Sequence, residues 1–259
     1  MIHFDHVTRR YGRKTAVSDL TLRVPQGELF AFLGPNGAGK TTAIKMLVGL
    51  LQPSEGTVSV CGQNSATQSR QAARYLGFVP DEAFLYEKLS GREFLEFVAE
   101  MRGLDRDQTR DRIERQSEIF ELDDFLDEIT ESYSHGMRQR LVFAAAMLHD
   151  PAVLVLDEPM VGLDPRSVRL VKDLLRQRAR AGMAVLMSTH TLALAEEIAD
   201  RIGIIDHGRL LFLGTLDELR LARADRHTSL EQLFLEMTSN GNGQAGGDGK
   251  VRARDAIEQ

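Results

Sequence analysis

Gly34-Pro35-Asn36-Gly37-Ala38-Gly39-Lys40-Thr41-Thr42 decides how this chain reads. Gly34, four intervening residues, then Gly39, Lys40 and Thr41 complete the phosphate-binding loop pattern. The flanks agree with it. Leu29-Phe30-Ala31-Phe32-Leu33 is a continuous apolar run and predicts a buried strand feeding the loop. Thr42 to Val48 predicts a helix that opens at the loop. The chemistry asks for these residue types. Gly34, Gly37 and Gly39 carry no Cβ, so successive backbone N–H groups of the loop, Asn36 and Thr42 included, can converge on a triphosphate. The helix start adds partial positive charge. Lys40 would reach the β- and γ-phosphates, and the Thr41 hydroxyl would ligate Mg²⁺.

Composition sets the bounds. The 259 residues suffice for one large domain or two small ones. With 42% hydrophobic and 27% charged residues, the chain falls among ordinary globular proteins and outside the disordered and membrane-spanning classes. A net charge of −6 argues against indiscriminate nucleic-acid binding, and no nucleic-acid partner is expected. The single cysteine, Cys61, excludes an internal disulfide framework and fits a reducing cytosol. The polar start, Met1 to His6, gives no expectation of a signal peptide. No apolar run approaches the roughly 20 residues that cross a bilayer. A membrane role would act through a partner.

Outward from the loop, the pattern alternates between strand and helix. Ile2, Phe4 and Val7, then Leu20, Leu22 and Val24, sit near strand alternation and predict an antiparallel sheet at the N-terminus. Tyr11 lies between them, either a plain edge aromatic or a face for an adenine ring. Thr57 to Val60 and Tyr75 to Val79 predict short strands. Phe94, Leu95, Phe97, Val98 and Met101 are at helical spacing, and residues 82–135 are expected to form a helical insert. Ser134 is a good helix N-cap. Ala152 to Leu156 predicts a central strand buried on both faces, ending in Asp157 and Glu158. Ala184 to Thr189 predicts another, ending in His190. Helices are expected over Arg166 to Arg180, Leu192 to Asp200, Leu216 to Arg223 and Ser229 to Met237, with a hairpin around His207-Gly208. Residues 238–259, with five glycines from Gly241 to Gly249, read as a disordered tail.

A carboxylate at the end of a buried parallel strand lies on the ligand side of an α/β sheet. Asp157 would therefore hold Mg²⁺, directly or through water. Glu158 could orient and deprotonate an attacking water. His190 could contact the γ-phosphate.

In this order the motifs resemble the ATP-binding subunits of ABC transporters, over about residues 2–237. The resemblance implies an α/β fold: a P-loop NTPase core with a parallel sheet, an N-terminal antiparallel β subdomain and a helical signature subdomain at about 82–135. It implies ATP and Mg²⁺ as ligands. It makes Tyr11 the adenine-stacking residue, Ser134 and Gly136 the signature residues, and Asp164 in Gly162-Leu163-Asp164-Pro165 the aspartate that links two nucleotide sites. It implies a head-to-tail dimer, of two like or unlike ATPase subunits, in which one signature completes the other subunit's site. Two motifs depart from the family. The signature usually reads Leu-Ser-Gly-Gly-Gln, and here it is Tyr133-Ser134-His135-Gly136-Met137. The usual glutamine after Val-Pro is Asp81, which would serve the metal instead. Phe84, Leu85 and Tyr86 resemble the segment that contacts a membrane subunit, with filling the helical insert as the alternative. The expected function is an ATP-hydrolysing subunit of an exporter, at the cytoplasmic face of the cell membrane, with a separate permease chain. The competing readings are a soluble ABC-type ATPase acting on ribosomes or DNA, and an ATP binder that does not hydrolyse. A phosphate-loop kinase or GTPase would leave the signature, Asp164 and His190 without a role.

Overall fold

The computed structural model describes residues 1–221. β1 (Ile2–Tyr11) and β2 (Lys14–Val24) form an antiparallel hairpin. β3 (Leu29–Leu33) runs into the glycine loop and α1 (Lys40–Leu47) leaves it. β4 (Glu55–Val60) and β5 (Gln63–Asn64) return to the hairpin, and α2 (Ser69–Ala73) leads to β6 (Leu76–Val79). Three helices follow: α3 (Gly91–Arg102), α4 (Arg106–Phe120) and α5 (His135–Met147). The chain then alternates through β7 (Val153–Asp157), α6 (Pro165–Arg180), β8 (Ala184–Thr189) and α7 (Leu192–Ile198). It continues through β9 (Arg201–Asp206), β10 (Arg209–Gly214) and α8 (Leu216–Leu221).

Two sheets result. One is antiparallel, in the order β2-β1-β4-β5. The other has the order β10-β9-β3-β8-β7-β6 and is parallel except for β10. This is the expected α/β core with its N-terminal antiparallel sheet. The apolar runs of β3, β7 and β8 are explained by coverage on both faces. Alternate residues go to different cores. Leu29, Ala31, Leu33, Leu154, Leu156, Val185 and Met187 pack with the helices α3 to α7. Phe30, Phe32, Val153, Val155, Ala184 and Leu186 pack with α1 and the antiparallel sheet.

The helical part starts where its caps say. Ser90 and Glu93 form a capping box on α3, and Asp105 and Gln108 form one on α4. Each such cap stabilises its helix by about 1 kcal/mol. Tyr133 is buried, with its hydroxyl donating to Phe125 O at 2.6 Å and its ring edge-on to Phe125. Burial pushes its phenol up to about 12. The tyrosine standing where the family has leucine thus points inward.

Residues 82–90 are not helical as expected. Their backbone groups pair across the chain instead, through Thr130 N–H to Leu89 O at 2.9 Å, Glu131 N–H to Glu87 O at 3.2 Å and a bridge between Ser90 and Ile129. α2 was not foreseen; with Ala72 its one buried residue, it has no apolar period to read. The expected helix over Ser229 to Met237, and the tail 238–259, lie outside the described residues.

Arginines of the helical part donate to backbone carbonyls of neighbouring segments. Arg102 donates to Ala73 O at 2.6 Å and Leu76 O at 3.4 Å, and Arg112 donates to Leu148 O at 3.0 Å. His149 lies among them. Burial first, then the charge of Arg102, then Arg112, push its imidazole down to about 4, while the Leu76 carbonyl and Asp150 act against this. The folded pKa lies below the unfolded one, so the unfolded chain takes the proton first as pH falls. Stability is full above about pH 6.5 and is lost as pH falls toward 4. Urea titrations at pH 7 and pH 4.5 should show that His149→Gln removes about 2 kcal/mol of the acid-induced loss. An equal loss in both proteins would show that His149 does not sense the pH.

Candidate active site

β3, β8 and β7 are neighbours and run parallel, so their C-terminal ends share one edge of the sheet. The glycine loop, Asp157-Glu158 and His190 leave from those three ends. This is where ligands bind in open α/β sheets.

The loop is packed too closely for side chains at two of its glycines. A Cβ on Gly34 would lie 2.3 Å from Ile205 O. Gly39 has φ +113°, and a Cβ there would lie 2.5 Å from Ala16 O. Asn36 and Gly37 form the exposed tip, and Thr41 and Thr42 lie in the first turn of α1. Lys40 is buried and its ammonium turns back into the loop. It donates to Gly34 O at 2.7 Å and Pro35 O at 3.3 Å. It also lies 3.3 Å from Glu158 Oε1. That last contact is ionic rather than directed, because Glu158 Oε1 is buried without a hydrogen-bond donor among the described residues. The other oxygen, Glu158 Oε2, lies 3.0 Å from His190 Nδ1. Lys40, Glu158 and His190 are therefore one polar chain across three strand ends.

Glu158 sits at φ +48°, a sparsely populated conformation for a residue with a side chain. Ser188 holds it there. The Ser188 hydroxyl accepts from Glu158 N–H at 3.0 Å and donates to Asp157 Oδ1 at 2.6 Å. The sequence did not single out Ser188. Its one signal is a hydroxyl inside an otherwise apolar strand, two places before His190.

Asp81 is exposed at the end of β6 and feels the other acids. Partial burial raises its carboxyl above the usual range, Asp157, Glu158 and Glu82 add to this, and Lys40 opposes them. Among the described residues, no cluster of three or more His, Cys, Asp or Glu could hold a metal alone. Thr41, Asp157 and Asp81 supply hard oxygen donors, with too few carboxylates for a protein-only cage. Such a set fits Mg²⁺, which takes one or two carboxylates and fills the rest with phosphate oxygens and water.

The structure places Ser134, Gly136 and Asp164 elsewhere. Ser134 Oγ caps α5, accepting from Met137 N–H at 3.3 Å. Asp164 caps α6, accepting from Arg166 N–H at 2.9 Å and Ser167 N–H at 3.1 Å. The Ser167 hydroxyl, then its N–H, hold the Asp164 carboxyl below its usual range. The two loops are adjacent: a Cβ on Gly136 would lie 3.9 Å from Asp164 Oδ2. His135 fastens them, with Nε2 donating to Val161 O at 3.0 Å and its ring against Gly162. Among the described residues, none of Ser134, Gly136 and Asp164 hydrogen-bonds to Lys40, Glu158 or His190. A cavity of about 150 Å³, lined by Glu158, His190 and Val161 among others, lies on the side toward the Asp164 loop. Tyr11 ends β1 and is about half exposed.

Phe84, Leu85 and Tyr86 divide between the two roles the sequence left open. Leu85 is 5% exposed and joins the helical core, whereas Phe84 is 76% and Tyr86 47% exposed. Tyr86 meets Phe84 and Phe97 edge-on, with ring centroids 5.8 Å and 5.4 Å away. Phe97 and Met101 extend the exposed surface. Among the described residues, no helix is long and apolar enough to cross a membrane.

Comparison with known proteins agrees with this geometry. Residues 17–161 match the family described as ABC transporter. The daunorubicin resistance ATP-binding protein DrrA3 of Streptomyces coeruleorubidus is 40% identical over 219 residues, covering 85% of this chain and 69% of the relative. The Nod factor export ATP-binding protein I of Burkholderia orbicola is 38% identical over 213 residues, covering 82% of this chain and 70% of the relative. A solved structure described as the ATP binding subunit of an ABC transporter matches with a TM-score of 0.86 at 32% identity, over 92% of this chain and 99% of that one. With the phosphate loop and the acidic strand end meeting on one sheet edge, the chain belongs to the ABC transporter family, as one of its ATP-binding subunits.

Proposed function

We propose that this chain binds and hydrolyses ATP with Mg²⁺, and so powers export by a membrane permease on a separate chain. The observation that carries the proposal is the convergence of Lys40, Asp157, Glu158 and His190 on one sheet edge. The loop N–H groups and Lys40 bind the phosphates, and Tyr11 stacks on adenine. A triphosphate offers Lys40 better partners than two carbonyls and a carboxylate, so Lys40 turns to it and releases Glu158. Glu158, still oriented by His190, takes the proton of a water that attacks the γ-phosphorus; the products are ADP and phosphate. Bound Mg²⁺, held by Thr41 and Asp157 with Asp81 near, supplies charge neutralisation on the phosphate oxygens.

Ser134, Gly136 and Asp164 serve the neighbouring ATPase subunit in this reading. That accounts for their grouping away from their own Lys40. ATP then bridges two subunits, and its hydrolysis loosens them. Residues 1–237 act as one ATPase unit, peripheral to the cytoplasmic face of the cell membrane. Export is supported by the relatives named for drug resistance and Nod factor export.

The exposed Phe84, Tyr86, Phe97 and Met101 are the proposed seat of the permease. A C-terminally tagged chain, extracted from native membranes in mild detergent, should bring down a multi-spanning membrane protein. Phe84→Glu with Tyr86→Glu should lose that protein while keeping ATP binding. Recovery of ribosomal or DNA-bound proteins, with no membrane protein, would replace this reading with the soluble ATPase.

A further inference from the structure

We propose that Arg9 is a positioning residue for the nucleoside end of the substrate, which fixes the Tyr11 ring as a one-sided stacking platform. The inference rests on the reading of Tyr11 as the base-stacking residue. Arg9 and Tyr11 are two apart at the end of β1, where its register with β2 shifts between Arg9 and Arg10, and their side chains meet. The Arg9 guanidinium carbon lies 4.7 Å from the centroid of the Tyr11 ring. That is within the range of a cation–π contact.

Arg9 is itself anchored. Its Nη1 donates to Gln52 O at 2.9 Å. Gln52 lies in the loop that carries the chain from α1, the helix of the phosphate loop, to β4. Nε is buried with no hydrogen-bond partner among the described residues, and the ring and the carbonyl together hold the group in place. The order is therefore a backbone carbonyl, then a guanidinium, then a phenol ring. The cation covers one face of the ring, and a planar base has the opposite face to stack on. Without Arg9 the half-exposed ring would be free to rotate, and binding would bear the entropy of ordering it.

Arg9 is not arranged as a phosphate ligand. Its charge is turned to the ring and the loop. The next arginine, Arg10, is neutralised by Glu55 at 2.5 Å. This separates two explanations for any loss of binding: platform or attraction. Inorganic tripolyphosphate carries the charge of ATP without a base, and it decides between them.

Titration calorimetry with Mg-ATP and with Mg-tripolyphosphate would test this on the full chain. Arg9→Ala and Arg9→Gln should weaken ATP by about two- to fivefold, the worth of an exposed cation–π contact, and leave tripolyphosphate unchanged. Gln keeps a donor for Gln52 O and so guards against a merely misfolded hairpin. Arg9→Lys should restore most of the affinity. Tyr11→Ala should weaken ATP, and adding Arg9→Ala to it should cost nothing more. Equal weakening of both ligands would overturn the proposal in favour of simple attraction. Unchanged ATP binding in Arg9→Ala and Arg9→Gln, with Tyr11→Ala weakened, would overturn Arg9's role and leave Tyr11's standing. Unchanged ATP binding in Tyr11→Ala would remove the platform itself.

Discussion

Glu158→Gln is expected to bind ATP at least as tightly as the unaltered chain and to hydrolyse it at least about a hundredfold more slowly. The substitution changes little but charge and basicity. The backbone N–H that Ser188 accepts is unaffected, so the left-handed turn at φ +48° is held as before. An amide can still meet His190. It cannot take a proton from water. Meanwhile the 3.3 Å ion pair with Lys40 becomes a neutral contact. Lys40 then has less to leave when a triphosphate arrives, so binding does not suffer. ATP should accumulate between two subunits, and size-exclusion chromatography with ATP should show a dimer that persists. Mixing this variant with Ser134→Arg subunits locates the action: the arginine at the α5 cap should block the pair while each lone subunit still binds ATP. Unchanged hydrolysis in Glu158→Gln would remove Glu158 as the base. Activity that followed only each chain's own residues would remove the shared site.

The parts legible in the sequence were those with a period or a fixed pattern. β3, β7 and β8 read as buried strands because both faces are covered, and the loop read as a loop because its glycines cannot be replaced by other shapes. Ser188 was not legible. A serine in a strand usually says nothing, and only the register that sets it opposite Asp157 gives it two acids to organise. Phe84, Leu85 and Tyr86 could not be sorted for the opposite reason. They lie in irregular backbone, held by pairs with residues 128–131, and such backbone has no periodicity to assign inward and outward faces. His135 was not legible either: its ring lies against Val161 and Gly162 of its own chain, where the lack of a Cβ on Gly162 leaves room for it.

Lys40→Ala should lose nucleotide binding by at least about a hundredfold, as two charge-assisted contacts to phosphate would require. The loss has a second source besides those contacts. Lys40 is the cation that opposes Asp81 in a field built by Asp157, Glu158 and Glu82. Without it, Glu158 Oε1 has no ion partner and the Gly34 and Pro35 carbonyls lose their donor. A polyanion would then meet only acids and N–H groups. The same loss could loosen the loop, so Ala alone does not separate binding from folding. Lys40→Met read beside circular dichroism does, because it keeps most of the volume of a side chain that is 6% exposed while removing the charge and its N–H donors. Titration of a fluorescent ATP analogue should find both variants equally unable to bind, with circular dichroism unchanged in Lys40→Met. Failure of Ala alone would make Lys40 a packing element of the loop. Normal binding by both would mean that the backbone N–H groups suffice, and the polar chain from Lys40 through Glu158 to His190 would belong to the folded core rather than to catalysis.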